Sequence, residues 1–353
     1  MAIPTEPIGS IPRPLELIQA VEKNGSDDPA LTPMYEAAIR DTVRSFEETG
    51  SPVITDGEQR KYHNFWTYAV HGLRNTAPDG FRIPFAAGHT RRMPRLTGGP
   101  FSYKRYADED LAAAKRYASA AVKQAVISPS ALSLMYPAQE IPRYSRDEFI
   151  AELLREHETE VRRCLQRGAH SVQIDFTEGR LAMKIDPAGH LLNSFIDLNN
   201  LALARFGSEE RKRLGVHTCP GGDCDSTHSA DVDYAALLPS LFQLKVRNFY
   251  VSLAGERDRE RVLKIIRKHL KPDQRVFVGV IATIDPRLET AEEVRDRILE
   301  AAKYIPLEQL GTTDDCGFSP FSDDTSTTRE KAFAKIRARV VGTAMASKAL
   351  GIA

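Results

Sequence analysis

Residues 213–219 read RLGVHTC, a short β-rich run that closes on His217 and Cys219. On an extended segment, residues two apart point the same way, so an imidazole and a thiolate placed like this can meet one ion. Upstream, residues 146–167 carry apolar side chains at helical spacing. That segment opens with Arg146, Asp147 and Glu148 and stops before Gly168, as the helix dipole and a C-terminal glycine favour. A second β-rich run, SVQID at 171–175, lies between the two. Downstream, helical spacing over 230–244 leads to NFYVSL at 248–253. The alternation continues to both ends, with β-rich runs near 4–9, 52–55, 125–128, 275–281 and 309–312. Helical patterns fall at 32–49, 110–124, 257–270, 291–304 and 328–349.

Strands alternating with helices imply parallel strands joined by right-handed crossovers. Eight strand segments suggest a closed (β/α)8 TIM barrel. A doubly wound open sheet is the alternative, but no G-x-G-x-x-G follows the first strand. The region 57–108, with Trp66, RIPFAAGHTRRMPRLTGG and SYKRYA, is irregular for such a barrel and reads as an insertion after the second strand that contains a hairpin. With no repeat, low-complexity tract or linker, residues 1–353 are expected to form one domain.

The 353 residues are 42% hydrophobic and 27% charged, a globular composition. Lys+Arg and Asp+Glu are 48 each, so no net field favours nucleic acid or an anionic membrane. No apolar run approaches the ~18 residues of a bilayer span, and MAIPTEPIGSIPRP lacks the basic and apolar regions of a secretory signal. The expectation is a soluble, cytoplasmic protein with a small-molecule partner. Whether it forms a homo-oligomer is left open. Four cysteines, at 164, 219, 224 and 316, are too few for a disulfide scaffold.

Active sites of such barrels lie at the C-terminal ends of the strands. Ile8-Gly9-Ser10 follow the first strand, and Asp56-Gly57-Glu58-Gln59-Arg60 follow the second. The fourth ends in Asp175 with Glu178 behind it, and the fifth in His217-Thr218-Cys219. Glu256 follows the sixth strand, Asp285-Pro286-Arg287 the seventh, and Asp314-Asp315-Cys316 the eighth. Polar and metal-binding side chains thus recur at one end. His217, Cys219 and Cys316 make a three-ligand zinc site with a place left for substrate. Zinc with two thiolates activates water poorly but binds a third sulfur, which stays nucleophilic when deprotonated. The chemistry expected is S-alkylation of a thiol. Cys224, in GGDCDSTH, reads as an exposed thiol and Cys164 as helix packing. His228 reads as the start of a helix rather than an acid.

In this order and spacing, PTEPIGSIPRP, DGEQRK, VQID, VHTCPGGD, GVIATIDPR and LGTTDDCGFSP resemble the C-terminal catalytic barrel of cobalamin-independent methionine synthase. Its superfamily includes coenzyme M methyltransferases and epoxyalkane:coenzyme M transferase. The resemblance covers nearly the whole chain. It implies that His217, Cys219 and Cys316 bind Zn2+, that Ile8, Gly9 and Ser10 hold the homocysteine carboxylate, and that Glu58 and Asp175 hold its ammonium group. A zwitterion needs donors on one side and anions on the other, which agrees.

Three departures qualify what the resemblance implies. The glutamate that supplies a fourth zinc ligand after strand six is replaced by Leu253 or Ala254 in VSLAGE, which leaves Glu256 as the candidate. The histidine acid after strand seven is replaced by Ile284, with Asp285 beside it as the catalytic candidate. The N-terminal half that helps to bind folate in methionine synthase has no counterpart in these residues. The expectation is therefore methyl or alkyl transfer to a small thiol, homocysteine first, from a donor such as a methylated corrinoid protein. The alternatives are addition of a zinc-bound thiolate such as coenzyme M to an epoxide, with Arg287, Tyr250 or His228 as acid, and a zinc- or thiol-binding barrel without turnover. Two carboxylates at the substrate site would repel a sulfonate.

Overall fold

The computed structural model describes residues 2–61 and 65–352. Six strands run in one parallel ladder in the order Leu310–Asp314, Arg275–Ile281, Asn248–Val251, Leu214–Thr218, Val172–Asp175 and Gln124–Ile127. Ala121–Val122 carries the same edge on to Val53–Ile54, again in parallel. The first segment closes the ring: Thr5 bridges Thr312, while the Ile11 N–H donates to Gly57 O. The fold is the (β/α)8 barrel. The first strand is reduced to one bridge because Pro4 and Pro7 have no N–H to give the ladder.

Helices cover the outside and meet the strands in an apolar shell that runs from Ile3 to Ala346. Helix Arg146–Gln166 shows why the local sequence succeeds. Ser145 and Glu148 form a reciprocal capping box, and Phe149, Leu153, Val161 and Cys164 fall on the buried face. The chain then leaves through Gly168 at φ 79°. Such a cap contributes about 1 kcal/mol, and each large apolar side chain on that face about 1.5–3 kcal/mol.

Two helical readings need correction. The alanine-rich stretch 110–124 does not continue as a helix. It stops at Lys115, and Ala121–Val122 and Gln124–Ile127 are strand. Lys123 N–H bonds Ile54 O there, so barrel pairing overrides the alanine propensity. Helices Glu178–Ile185 and His190–Leu203, between the fourth and fifth strands, had not been expected.

The insertion does contain a hairpin, Arg82–Pro84 with Thr90–Arg92, beyond the pair Thr76–Ala77 and Arg95–Leu96. Residues 62–64 of this region lie outside the described residues. An acidic row at four-residue spacing on helix Arg146–Gln166 fastens the insertion to the barrel. Glu152 accepts from Phe101 N at 2.7 Å, Glu156 from the Tyr106 hydroxyl at 2.5 Å, and Glu160 from the Tyr68 hydroxyl at 2.8 Å and Ala107 N at 3.0 Å. The aromatic segment between is thereby held over the mouth of the barrel.

Candidate active site

Strand register sets the site residues at one level. Asp175 lies opposite His217, and His217 opposite Tyr250. His217 Nδ1 is 3.2 Å from the Tyr250 carbonyl, so that nitrogen carries the proton. Its Nε2 is left buried, without a partner, as a lone pair. The sulfurs of Cys219 and Cys316 lie 3.1 Å apart, and the three donor atoms all fall within 4.8 Å of one another. The bond between the sulfurs holds the Cys316 thiol well below its ordinary pKa and pushes Cys219 well above it. Two sulfurs converging this closely are placed as metal-binding thiolates are, and a cation between them would let both be deprotonated. An orphaned imidazole lone pair and two converging sulfurs fit a borderline-soft divalent ion.

Beside this cluster is a small pocket that reaches from Ile8 and Ser10 to Phe321. Glu58 and Asp175 line it together with His217 and Cys316. Glu58 Oε1 is 3.3 Å from the buried Lys61 ammonium, while its Oε2 is buried with no partner. Asp175 Oδ1 accepts from Gln173 Nε2 at 2.7 Å. Burial, and after it the charge of Glu58, pushes Asp175 up to about 6. Burial opposes the charge on Lys61, but Glu58, Asp175, Asp56 and Asp110 together keep it protonated. Two carboxylates and one ammonium leave room for one more positive charge.

Glu58 sits at φ 58°, a left-handed backbone that costs a non-glycine residue about 1–3 kcal/mol and so must be held by its surroundings. Arg13 holds it. Its guanidinium donates to Glu58 O at 2.6 Å and Lys61 O at 3.2 Å, and also to Ser319 O on the loop after Cys316. Ile8 and Ser10 line the pocket, whereas Gly9 lies behind them with its carbonyl accepting from Thr55 Oγ1. Ser10 Oγ comes close to the metal-ligand loop only because residue 317 is glycine. A Cβ there would fall 2.0 Å from that oxygen.

Two expected residues are not brought in. Glu256 is not part of the cluster; its carboxylate pairs with the buried Arg180 at 2.7 Å. The strand-six turn is itself occupied, because Leu253, Ala254 and Gly255 donate their N–H groups to Asp315 at 2.7–2.8 Å. Among the described residues the cluster therefore has three ligands. Asp285 does not line the pocket, and its Oδ1 accepts from Arg287 N within its own turn. Of the candidate acids, Tyr250 donates to Glu6 inside the barrel and Arg287 pairs with Glu293. His228 is buried against the pocket and does not start a helix, since the next one begins at Tyr234. Burial, with Lys184 and Arg180 nearby, pushes it down to about 3. Cys224 is exposed and Cys164 is buried in its helix, as expected.

The sequence reading missed the roof. Phe65, Trp66 and Phe85 from the insertion meet Phe321 from the loop after strand eight, with ring centroids 5.3–6.1 Å apart. An aromatic cluster in an irregular stretch was the available signal.

A parallel barrel with a His-Cys-Cys cluster at its mouth defines a class: enzymes able to hold a thiolate-ligated metal ion beside a small-molecule pocket. Residues 3–340 match the cobalamin-independent synthase catalytic domain, and the chain belongs to that family of thiol methyltransferases. Among relatives, it is 24% identical over 350 residues to the uncharacterized protein YxjH of Bacillus subtilis, covering 94% of this chain and 91% of that one. It is 22% identical over 346 residues to the methionine synthase of Saccharolobus solfataricus, covering 97% and 94%. A B12-independent methionine synthase from Shewanella, solved in complex with selenomethionine, superposes with TM-score 0.78 at 19% identity over 100% of both chains. A putative vitamin-B12 independent methionine synthase from Listeria monocytogenes gives 0.71 at 23% over 98% of both. No helix among the described residues is long and apolar enough to cross a membrane.

Proposed function

We propose that this chain methylates a small amino-acid thiol, homocysteine first, at a zinc ion held by His217, Cys219 and Cys316. One observation carries the reading: a single pocket is lined both by His217, whose Nε2 has no partner, and Cys316 of the cluster, and by Glu58, whose Oε2 has no partner, and Asp175. An amino acid with a side-chain thiol has a soft donor and an ammonium group to match those two sets of groups. Zinc, when bound, would keep the substrate sulfur deprotonated near neutral pH while leaving it nucleophilic.

The protein residues supply the rest. Glu58 and Asp175 take the ammonium, with Lys61 balancing the second carboxylate. Ile8 and Ser10, which line the pocket, are left for the carboxylate. Phe65, Trp66, Phe85 and Phe321 exclude water, which strengthens every charge interaction beneath them. The sulfur attacks the alkyl carbon, the bond from carbon to the donor breaks, and its electron pair leaves with the donor. His228 is neutral and Ile284 carries no proton, so a donor whose leaving group needs no protonation suits the site. A methylated corrinoid protein is such a donor. The selenomethionine held by the Shewanella relative is an amino acid of the product class, which supports the same reading.

Titration calorimetry of the zinc-loaded protein with homocysteine and with coenzyme M tests this. Binding of homocysteine alone is expected. Preference for the sulfonate thiol would overturn the amino-acid assignment.

A further inference from the structure

The hairpin of the insertion reaches the two loops that carry the cysteine ligands, and one side chain joins all three. Arg91 grips Asp223 with two hydrogen bonds, Nε to Oδ2 at 2.6 Å and Nη2 to Oδ1 at 2.9 Å. It grips Asp323 with two more, Nη1 to Oδ2 at 2.9 Å and Nη2 to Oδ1 at 2.8 Å. Asp223 stands four residues after Cys219, and Asp323 seven after Cys316. The guanidinium also lies 4.4 Å above the ring of Phe321, part of the pocket roof. Planar two-point pairing with carboxylates fixes orientation as well as distance, which a lysine cannot do.

The surroundings make this a lock and not a surface ion pair. The Asp223 side chain is fully buried and Arg91 only 21% exposed, while Asp323 is 58% exposed. The same hairpin adds Ala86 N to Thr227 O at 2.9 Å, and His89 stacks on Phe85 while its Nε2 is 2.8 Å from Asp223. The two ligand loops meet directly where Cys224 N donates to Asp324 at 3.0 Å.

We infer that Arg91 is a positioning residue for the metal centre: it clamps the loops bearing Cys219 and Cys316 to each other and to the insertion, and so slows metal release and keeps the pocket roofed. The metal part of this inference rests on the zinc reading above. The loop part does not, and can fail separately.

The experiment compares wild type, Arg91→Ala, Arg91→Lys and Asp323→Asn, loaded with zinc and challenged with a chromogenic chelator. Outer partners of ligand residues typically change metal affinity by about 10–100-fold, so Arg91→Ala is expected to release zinc about tenfold faster or more. Arg91→Lys should fall between, since it keeps the charge and loses the fork. Asp323→Asn removes an exposed partner without burying an unpaired charge, and should accelerate release about two- to fivefold even if Arg91→Ala folds poorly. Arg95→Ala breaks the exposed pair with Asp79 in the same insertion and is the control expected to match wild type. Hydrogen exchange reads the loops without metal: the amides of Ala86 and Cys224 should lose protection in Arg91→Ala and Asp323→Asn. Zinc release and exchange within twofold of wild type in both variants overturn the inference. Faster exchange in a protein that takes up no zinc sustains the clamp and removes the metal reading.

Discussion

The barrel interior and the barrel mouth are both crowded with buried charges, but at the mouth several of their polar atoms are left without a partner. Inside, Lys123 Nζ donates to Gln173 Oε1 at 2.9 Å, lies 3.6 Å from Glu6 and stacks 4.0 Å over the Tyr250 ring. Tyr250 completes the set by donating to Glu6 at 2.6 Å. Burial alone would raise Glu6, yet His170, Lys123 and Tyr250 hold it down at about 2. Under the loop after strand seven, Lys335 and Glu289 pair at 2.9 Å with both side chains fully buried. At the mouth, His217 Nε2, Glu58 Oε2 and Asp56 Oδ2 are just as buried and have no partner. A buried polar atom left unpaired costs about 1–3 kcal/mol, so a fold that keeps several at one end gains from a ligand there. Satisfied charges position; unsatisfied ones wait for substrate or metal. Gln173 joins the two regions, since the amide that Lys123 orients also donates to Asp175.

That contrast breaks in four places, taken from the largest expected effect. Lys335→Ala removes the close partner of the buried Glu289, leaving it Arg297 at 3.6 Å and Ala282 N, and should cost about 3 kcal/mol of stability. It should leave zinc affinity unchanged; denaturant unfolding alongside metal titration checks both. Cys316→Ser and His217→Ala should do the reverse, losing zinc by about 100-fold or more, near 2.7 kcal/mol, while the barrel stays folded. Full zinc occupancy in both would remove the site. Asp175→Asn should weaken homocysteine binding by about 1.5–3 kcal/mol with zinc retained, the range for a hydrogen bond to a charged group, measured calorimetrically.

The last effect concerns pH. Burial raises Glu160 to about 7, against Tyr68 and Ala107, which lower it. A carboxyl raised in the folded state adds stability that is complete below its unfolded pKa and lost as pH climbs through the folded one. Stability should therefore fall as pH rises from about 4.5 to 7. Glu160→Gln keeps the acceptor for Tyr68 and Ala107 and should flatten that part of the profile. An unchanged slope would show that the insertion is not fastened by this group.

The strands were legible because their apolar runs are short and their helices periodic, and the ligands because His217 and Cys219 share one face of a strand while Cys316 ends another. What was not legible is set by tertiary contacts. Nothing local says that Ala121 and Val122 will pair with Val53 and Ile54 and abandon a helical composition. Glu256 reads as a ligand until Arg180, far away in sequence, takes its carboxylate. His228 resembles a residue that opens a helix, and only the turn through Gly221 and Gly222 turns it to the pocket. The roof was hidden because the insertion has no periodicity, and its place is fixed by Glu152, Glu156 and Glu160 on another element.

Zinc K-edge X-ray absorption of the purified protein, with and without homocysteine, tests the central claim most directly. A resting shell of two sulfurs with lighter atoms should become three sulfurs when homocysteine is added. A protein without zinc, or a zinc shell that ignores homocysteine, would contradict it.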